Sequence, residues 1–174
     1  MSFQQTVFLQ QGFGVPGELY TDSPHRAWEY TLVSASAAYN IIGATAYTLT
    51  SQGIAQAGNT GGTGVFVGVL ANPKEQTLFG VGGSPLSPTL VLPNNVLASL
   101  VTMGDLVVTL PAAAAIGDYV IFDNVTGALS TVPPSTSPFP GTGKSAAFAV
   151  VSYFTVAAAG LAVITLNPGI GIPT

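Results

Sequence analysis

Cysteine is missing from all 174 residues, which excludes disulfides and thiolate-bound metals. Charge is nearly missing too. Asp, Glu, Lys and Arg make up 6% of the chain, against about 25% in ordinary soluble domains. The only cations are Arg26, Lys74 and Lys144. Three scattered cations form no basic patch, so nucleic acid is not an expected partner. Histidine occurs once, at His25. General acid–base chemistry needs several titratable groups that converge, so no catalytic residues, no cofactor and no metal site are expected, and the chain is read as a non-enzyme.

What is present is apolar and rich in turns. Hydrophobic residues make up 48% of the sequence, so disorder is not expected. A monomer with so few charges is poorly defended against association, and depletion of charge is also the mark of an interface core. Composition therefore points to a surface covered by other subunits, ahead of a secreted or adhesin-like β-domain. The opening residues Met1–Thr6 carry no cationic region and no long apolar run, so no signal peptide is expected. The uncharged stretch 146–166 is long enough to span a bilayer. It divides at Ala157-Ala158-Ala159-Gly160 into two β-branched pieces, however, and reads as two strands joined by a turn. No membrane partner is expected.

Twenty-one glycines and thirteen prolines are spread along the chain and interrupt any long helix. Between them lie strand-like runs at Ala46–Thr50, Gly64–Leu70, Thr89–Leu92, Ala98–Thr102, Leu106–Leu110, Tyr119–Asp123, Ala146–Val156 and Leu161–Leu166. Such spacing predicts an all-β fold, a small β-barrel or β-sandwich of short strands. Pro111–Ile116 is too short for more than a turn. A faint repeat supports two similar β-modules. Tyr47–Ala55 and Ile121–Leu129 each read as a strand, a polar turn closed by glycine and a short apolar piece, and each precedes a Gly-Thr-Gly loop (62–64 and 141–143) and an apolar strand.

The first 33 residues differ from the rest. Glu18, Asp22, Arg26 and Glu29 place four of the ten charged residues within twelve positions. We read 1–33 as an extended arm or long loop that contacts other subunits, and 34–174 as a single β-rich domain; a first strand or two within the same barrel is the alternative for 1–33. The candidate interface residues are Phe3, Phe8, Phe13, Tyr20, His25, Arg26 and Trp28, because isolated aromatics on a segment with little self-packing order against a neighbour.

Two motifs invite chemistry and fail on inspection. Gly141-Thr142-Gly143-Lys144-Ser145 resembles the end of a phosphate-binding loop, but Pro138 stands where that loop requires glycine, and strand rather than helix follows. Asp105, Asp118 and Asp123 lie beside glycines or turns, where aspartate bonds its own backbone, and no calcium-loop spacing is present.

Several segments resemble cement proteins of tailed bacteriophages: Gly12–Glu18, Leu32–Ala35, Gly68–Lys74, Leu92–Asn95, Thr102–Gly104, Pro111–Asp118 and Thr126–Ser130. The resemblance runs over nearly the whole chain. It implies a structural protein that decorates the outer surface of the capsid, in the virion, and bridges subunits of the major capsid protein. It further implies a homo-oligomer, a trimer ahead of a dimer. A tail or fibre subunit is the nearest alternative, and a carbohydrate-binding β-domain a more distant one.

Overall fold

Short β-branched runs bounded by glycine and proline do become strands. The computed structural model describes residues 14–22, 24–72 and 91–167. Its strands are β1 (Arg26–Leu32), β2 (Ala46–Ser51), β3 (Ile54–Ala57), β4 (Val65–Leu70), β5 (Leu97–Leu110), β6 (Tyr119–Asp123), β7 (Leu129–Val132), β8 (Lys144–Ser152) and β9 (Gly160–Leu166). Among the described residues the only helical element is a 3-10 turn at Ala37–Tyr39. The expected all-β class holds.

The strands run β1-β3-β2-β4-β5-β9-β8-β6-β7, and β1 also pairs with β5. The first five strands therefore close into a small barrel. β1 lies parallel to β3 through Thr31↔Ile54 and Leu32↔Ala55, and antiparallel to β5 from Arg26↔Met103 to Thr31↔Leu97. β4 takes the other edge of β5 through Val69↔Val101 and Leu70↔Leu100. Inside this barrel Leu32, Ile42, Tyr47, Val67, Leu70 and Leu100 form the core. A buried amide completes it: Asn40 Oδ1 accepts from Ser34 Oγ (2.6 Å) and the Tyr47 hydroxyl (2.9 Å), while Nδ2 donates to Leu92 O (3.1 Å) and Asn94 Oδ1 (2.9 Å). All four hydrogen-bonding positions of the amide are used, which is what burial demands.

The repeat seen in sequence is a repeat of topology. β2 pairs with β3 and β4, and β4 pairs with β5. In the same order β6 pairs with β7 and β8, and β8 pairs with β9. Each inner pairing carries a register shift, between Tyr47 and Thr48 in one module and between Val120 and Ile121 in the other. A residue with positive φ sits in each facing strand, Gly68 and Phe148. The last strand of the first module is also the first strand of the second, since the far half of β5 pairs with β9 from Gly104↔Leu166 to Leu110↔Gly160. The second core joins Leu106, Val108, Phe122, Ala149 and Ile164 to Ala46, Val69 and Val101 from the outer face of the first barrel. The two modules share a strand and a core.

Four expectations about strands are revised. Ala98–Thr102 and Leu106–Leu110 are not separate strands with a turn at Met103-Gly104-Asp105; they are one strand of 14 residues. Gly104 keeps the chain running by adopting φ 117°, where a Cβ would stand 2.8 Å from His25 Cβ. The expected strand Ala146–Val156 runs instead from Lys144 to Ser152, and Tyr153 ends it with φ 64°. For Thr89–Leu92, residues 89 and 90 lie outside the described residues and Val91 makes an isolated bridge to Ile41. Within the stretch 1–33, Arg26–Leu32 is a sheet strand, the alternative weighed for that stretch.

Candidate functional site

Residues 14–22 lie along β5 as a strap. Gly17 N–H donates to Val107 O (2.7 Å), Val107 N–H to Glu18 O (2.9 Å) and Tyr20 N–H to Asp105 O (2.8 Å). The strap thus occupies the edge of β5 opposite β9. It brings Tyr20 to the loop between β8 and β9, where the Tyr20 ring meets Tyr153 at 5.0 Å and Phe154 at 6.0 Å between centroids. Tyr153 is 50% exposed, so the cluster forms an aromatic face on the surface.

Beneath that face lies Asp105, 7% exposed. Its Oδ2 accepts from Thr21 Oγ1 and from the Tyr153 hydroxyl, both at 2.9 Å, and its Oδ1 lies 2.6 Å from Thr165 Oγ1. Thr165 Oγ1 is in turn 2.9 Å from Ser152 Oγ. The carboxylate gathers hydroxyls from the strap, the loop and β9. The hydrogen bond to this carboxylate raises the Tyr153 phenol above the usual tyrosine value, because losing the proton would lose the bond and place two anions together.

The residues expected to form an interface fall in two places. Tyr20 is in the aromatic face. His25, Arg26 and Trp28 lie at and along β1, with Trp28 paired to Leu100 and 56% exposed. Phe3, Phe8 and Phe13 lie outside the described residues. Sequence reasoning missed Asp105, Tyr153 and Phe154. The usable signal for the first was an aspartate inside the apolar run Leu106–Leu110 and its lead-in.

A second exposed aromatic group lies between the modules. Phe148, 48% exposed, stands 6.0 Å from Phe66, which stands 5.9 Å from Phe122. These rings, with Phe139, Pro140 and Lys144, line a groove of about 350 Å³. Lys144, the cation of the loop that resembles a phosphate site, pairs with Asp123 at 3.4 Å. Asp123 Oδ1 also accepts from the backbone N–H of Val125 and Thr126, both at 2.9 Å, which holds its carboxyl below the usual carboxylate range. These are the bonds of a turn, as expected for Asp123, and Asp118 likewise accepts from Ala115 N–H at 2.8 Å.

A closed barrel continued into a second module of the same sheet exposes aromatic rings at two faces. Comparison with known proteins decides the family. The model of the structural cement protein family (E217 gp24/Pam3 gp6) matches residues 3–167. This chain belongs to that family. Cement-family membership makes the protein a structural component of the phage capsid. A solved chain described as "The capsid of Myoviridae Phage XM1" has the same fold, with a TM-score of 0.61 at 18% identity over 98% of this chain and 100% of that one. No curated protein matches the chain significantly.

Among the described residues, no group of three or more His, Asp or Glu is placed to hold a metal ion. No described helix is long and apolar enough to cross a membrane.

Proposed function

We propose that this protein decorates the outer surface of a tailed-phage capsid, where it bridges neighbouring subunits of the major capsid protein and stabilises the expanded shell. Membership of the cement family across residues 3–167 carries the reading. The exposed large apolar side chains, Trp28, Val33, Leu97, Phe148 and Tyr153 among them, support it, since a chain with 6% charge keeps them in water at a cost that a partner surface removes. The protein works by binding and not by catalysis. A ligand that binds only the expanded lattice adds its binding free energy to that lattice, and symmetric repetition lets each contact be modest.

Residues 1–33 reach the neighbours in this reading, with Phe3, Phe8, Phe13, Tyr20, His25, Arg26 and Trp28 among the contacts, and 34–174, joined by strand β1 from the end of that stretch, form the body that stands on the shell. The protein assembles as a homo-oligomer, a trimer in preference to a dimer, with neither nucleic acid nor membrane as partner. Purified protein is mixed with undecorated expanded capsids and with unexpanded shells, and both are sedimented. Co-sedimentation with the expanded particles alone, and a higher temperature of DNA release from them, is the expected result. Failure to bind expanded capsids, or equal binding to both shells, would overturn the proposal. Removing residues 1–25 tests the arm, and sedimentation equilibrium of the free protein distinguishes trimer from dimer.

A further inference from the structure

We propose that Asp105 is a latch that couples the strap 14–22 to the Tyr153–Phe154 loop, so that the two segments open and close together while both modules stay folded. The carboxylate sits on β5 and is nearly buried, and the groups it holds come from different segments: Thr21 from the strap, Tyr153 from the loop and Thr165 from β9. Thr165 lies within a ladder paired on both sides, so its hydroxyl is a fixed point. Thr21 and Tyr153 belong to segments with much less support. The strap is held by a few backbone bonds to β5 and one from Asn72 N–H to Gly17 O. The loop has Phe154 N–H on Ser152 O and Val156 N–H on Ala114 O. Leu19 and Val156 pack against the second core, but most residues of both segments are partly exposed, which places them below the core strands in local stability.

Both segments meet at one oxygen. Thr21 and Tyr153 donate to the same Oδ2, and the Tyr20 ring packs on the Tyr153 ring directly above it. When the loop leaves, a buried carboxylate oxygen loses a phenol donor and the strap loses a ring to pack on. When the strap leaves, Tyr153 loses the covering ring and Asp105 is opened to water. Hydrogen bonds to an ionised group are about twice as strong as neutral ones, and an incompletely paired buried charge is costly. Each departure therefore weakens what holds the other segment. The sequence order hides this, because 84 residues separate Thr21 from Asp105 and 48 separate Asp105 from Tyr153.

Amide hydrogen exchange on the full chain tests the coupling through variants that touch only one segment. Thr21→Val is expected to raise exchange at Val156 as well as at Gly17 and Tyr20. Tyr153→Phe, which keeps the ring, is expected to raise exchange at Gly17 and Tyr20. Asp105→Asn is expected to raise both sets by on the order of tenfold or more, with the amides of β2 and β4 unchanged. The latch is refuted if Thr21→Val and Tyr153→Phe each act on their own segment alone, or if Asp105→Asn leaves both sets as in the parent. Equal acceleration throughout both modules refutes it too, since Asp105 would then be a general stabiliser.

Discussion

Replacing Gly68 by alanine perturbs the closure of the first barrel through a single methyl group. Gly68 adopts φ 131°, and a Cβ there would stand 2.6 Å from Val101 O and 2.9 Å from Val101 C. Both atoms are backbone in β5, so no rotamer change can relieve the contact. Gly53→Ala supplies the control, because Gly53 has φ 75° and nothing within 4 Å of its Cβ position. The control pays the left-handed backbone cost alone, about 1–2 kcal/mol. Gly68→Ala carries a backbone cost of about 1–3 kcal/mol and must also push β4 several tenths of an ångström off β5, disturbing Val69↔Val101 and Leu70↔Leu100. Disturbing packed backbone of this kind adds about 1–3 kcal/mol, so the total is about 2–6 kcal/mol, a large part of the roughly 5–15 kcal/mol that holds a domain folded. Urea unfolding followed by the fluorescence of Trp28, the one tryptophan, reports on β1 and hence on this barrel. If the two variants lose stability to within about 0.5 kcal/mol of each other, the clash with β5 is not real and the barrel is not closed at that seam.

Three further outcomes follow from polar groups. Asn40→Ala leaves the Tyr47 hydroxyl, Leu92 O and Asn94 Oδ1 short of a buried partner, and should cost about 2–4 kcal/mol in urea unfolding. Asp123 has a folded pKa below its unfolded value, so its contribution is complete above the ordinary carboxylate value near 3.9 and is lost as pH falls through the folded value. The stability difference between the parent and Asp123→Asn should therefore shrink as pH is lowered from 5 toward about 2, measured by chemical unfolding. Tyr153 has a raised folded pKa, so its contribution is present below the ordinary tyrosine value near 10 and is lost as pH rises through the folded one. Tyr153→Phe should remove that alkaline loss, read as the gap between parent and variant above about pH 10.

Strands whose own residues are β-branched and bounded by glycine were legible in sequence. Tyr119–Asp123 matches β6 at both ends, and the runs at 46–50 and 64–70 match β2 and β4 to within a residue. Three strands were not picked out: β1, β3 and β7. β3 and β7 are four residues each and mix alanine, glutamine, serine and threonine with few apolar anchors, so their partners and not their propensities make them strands. β1 carries Arg26 and Glu29 because most of it is exposed, and charge in that stretch pointed to an arm. Gly104 read as a turn because a glycine with an aspartate after it usually is one; a positive φ inside a continuing ladder depends on His25 approaching from elsewhere in the chain. Of the aromatic face, Tyr20 stood out as an aromatic in a sparse background, whereas the Asp105 cluster is assembled from residues dozens of positions apart, and spacing along the chain says nothing of it.

Strand β5 is also a mechanical member. Fourteen residues at about 3.3 Å each make a strand of about 45 Å, and its two ends are embedded in different modules. Antiparallel neighbours grip it along its length, β1 and β4 at the Leu97 end and β9 at the Leu110 end. A pull that separates the two modules along this strand loads those ladders in shear, so many hydrogen bonds must yield at once. A pull across the strand peels them one after another. The chain is therefore stiff in tension along one line and compliant across it. In the bridging role proposed above, that line is the direction in which this protein would carry load between two attachment points on the shell.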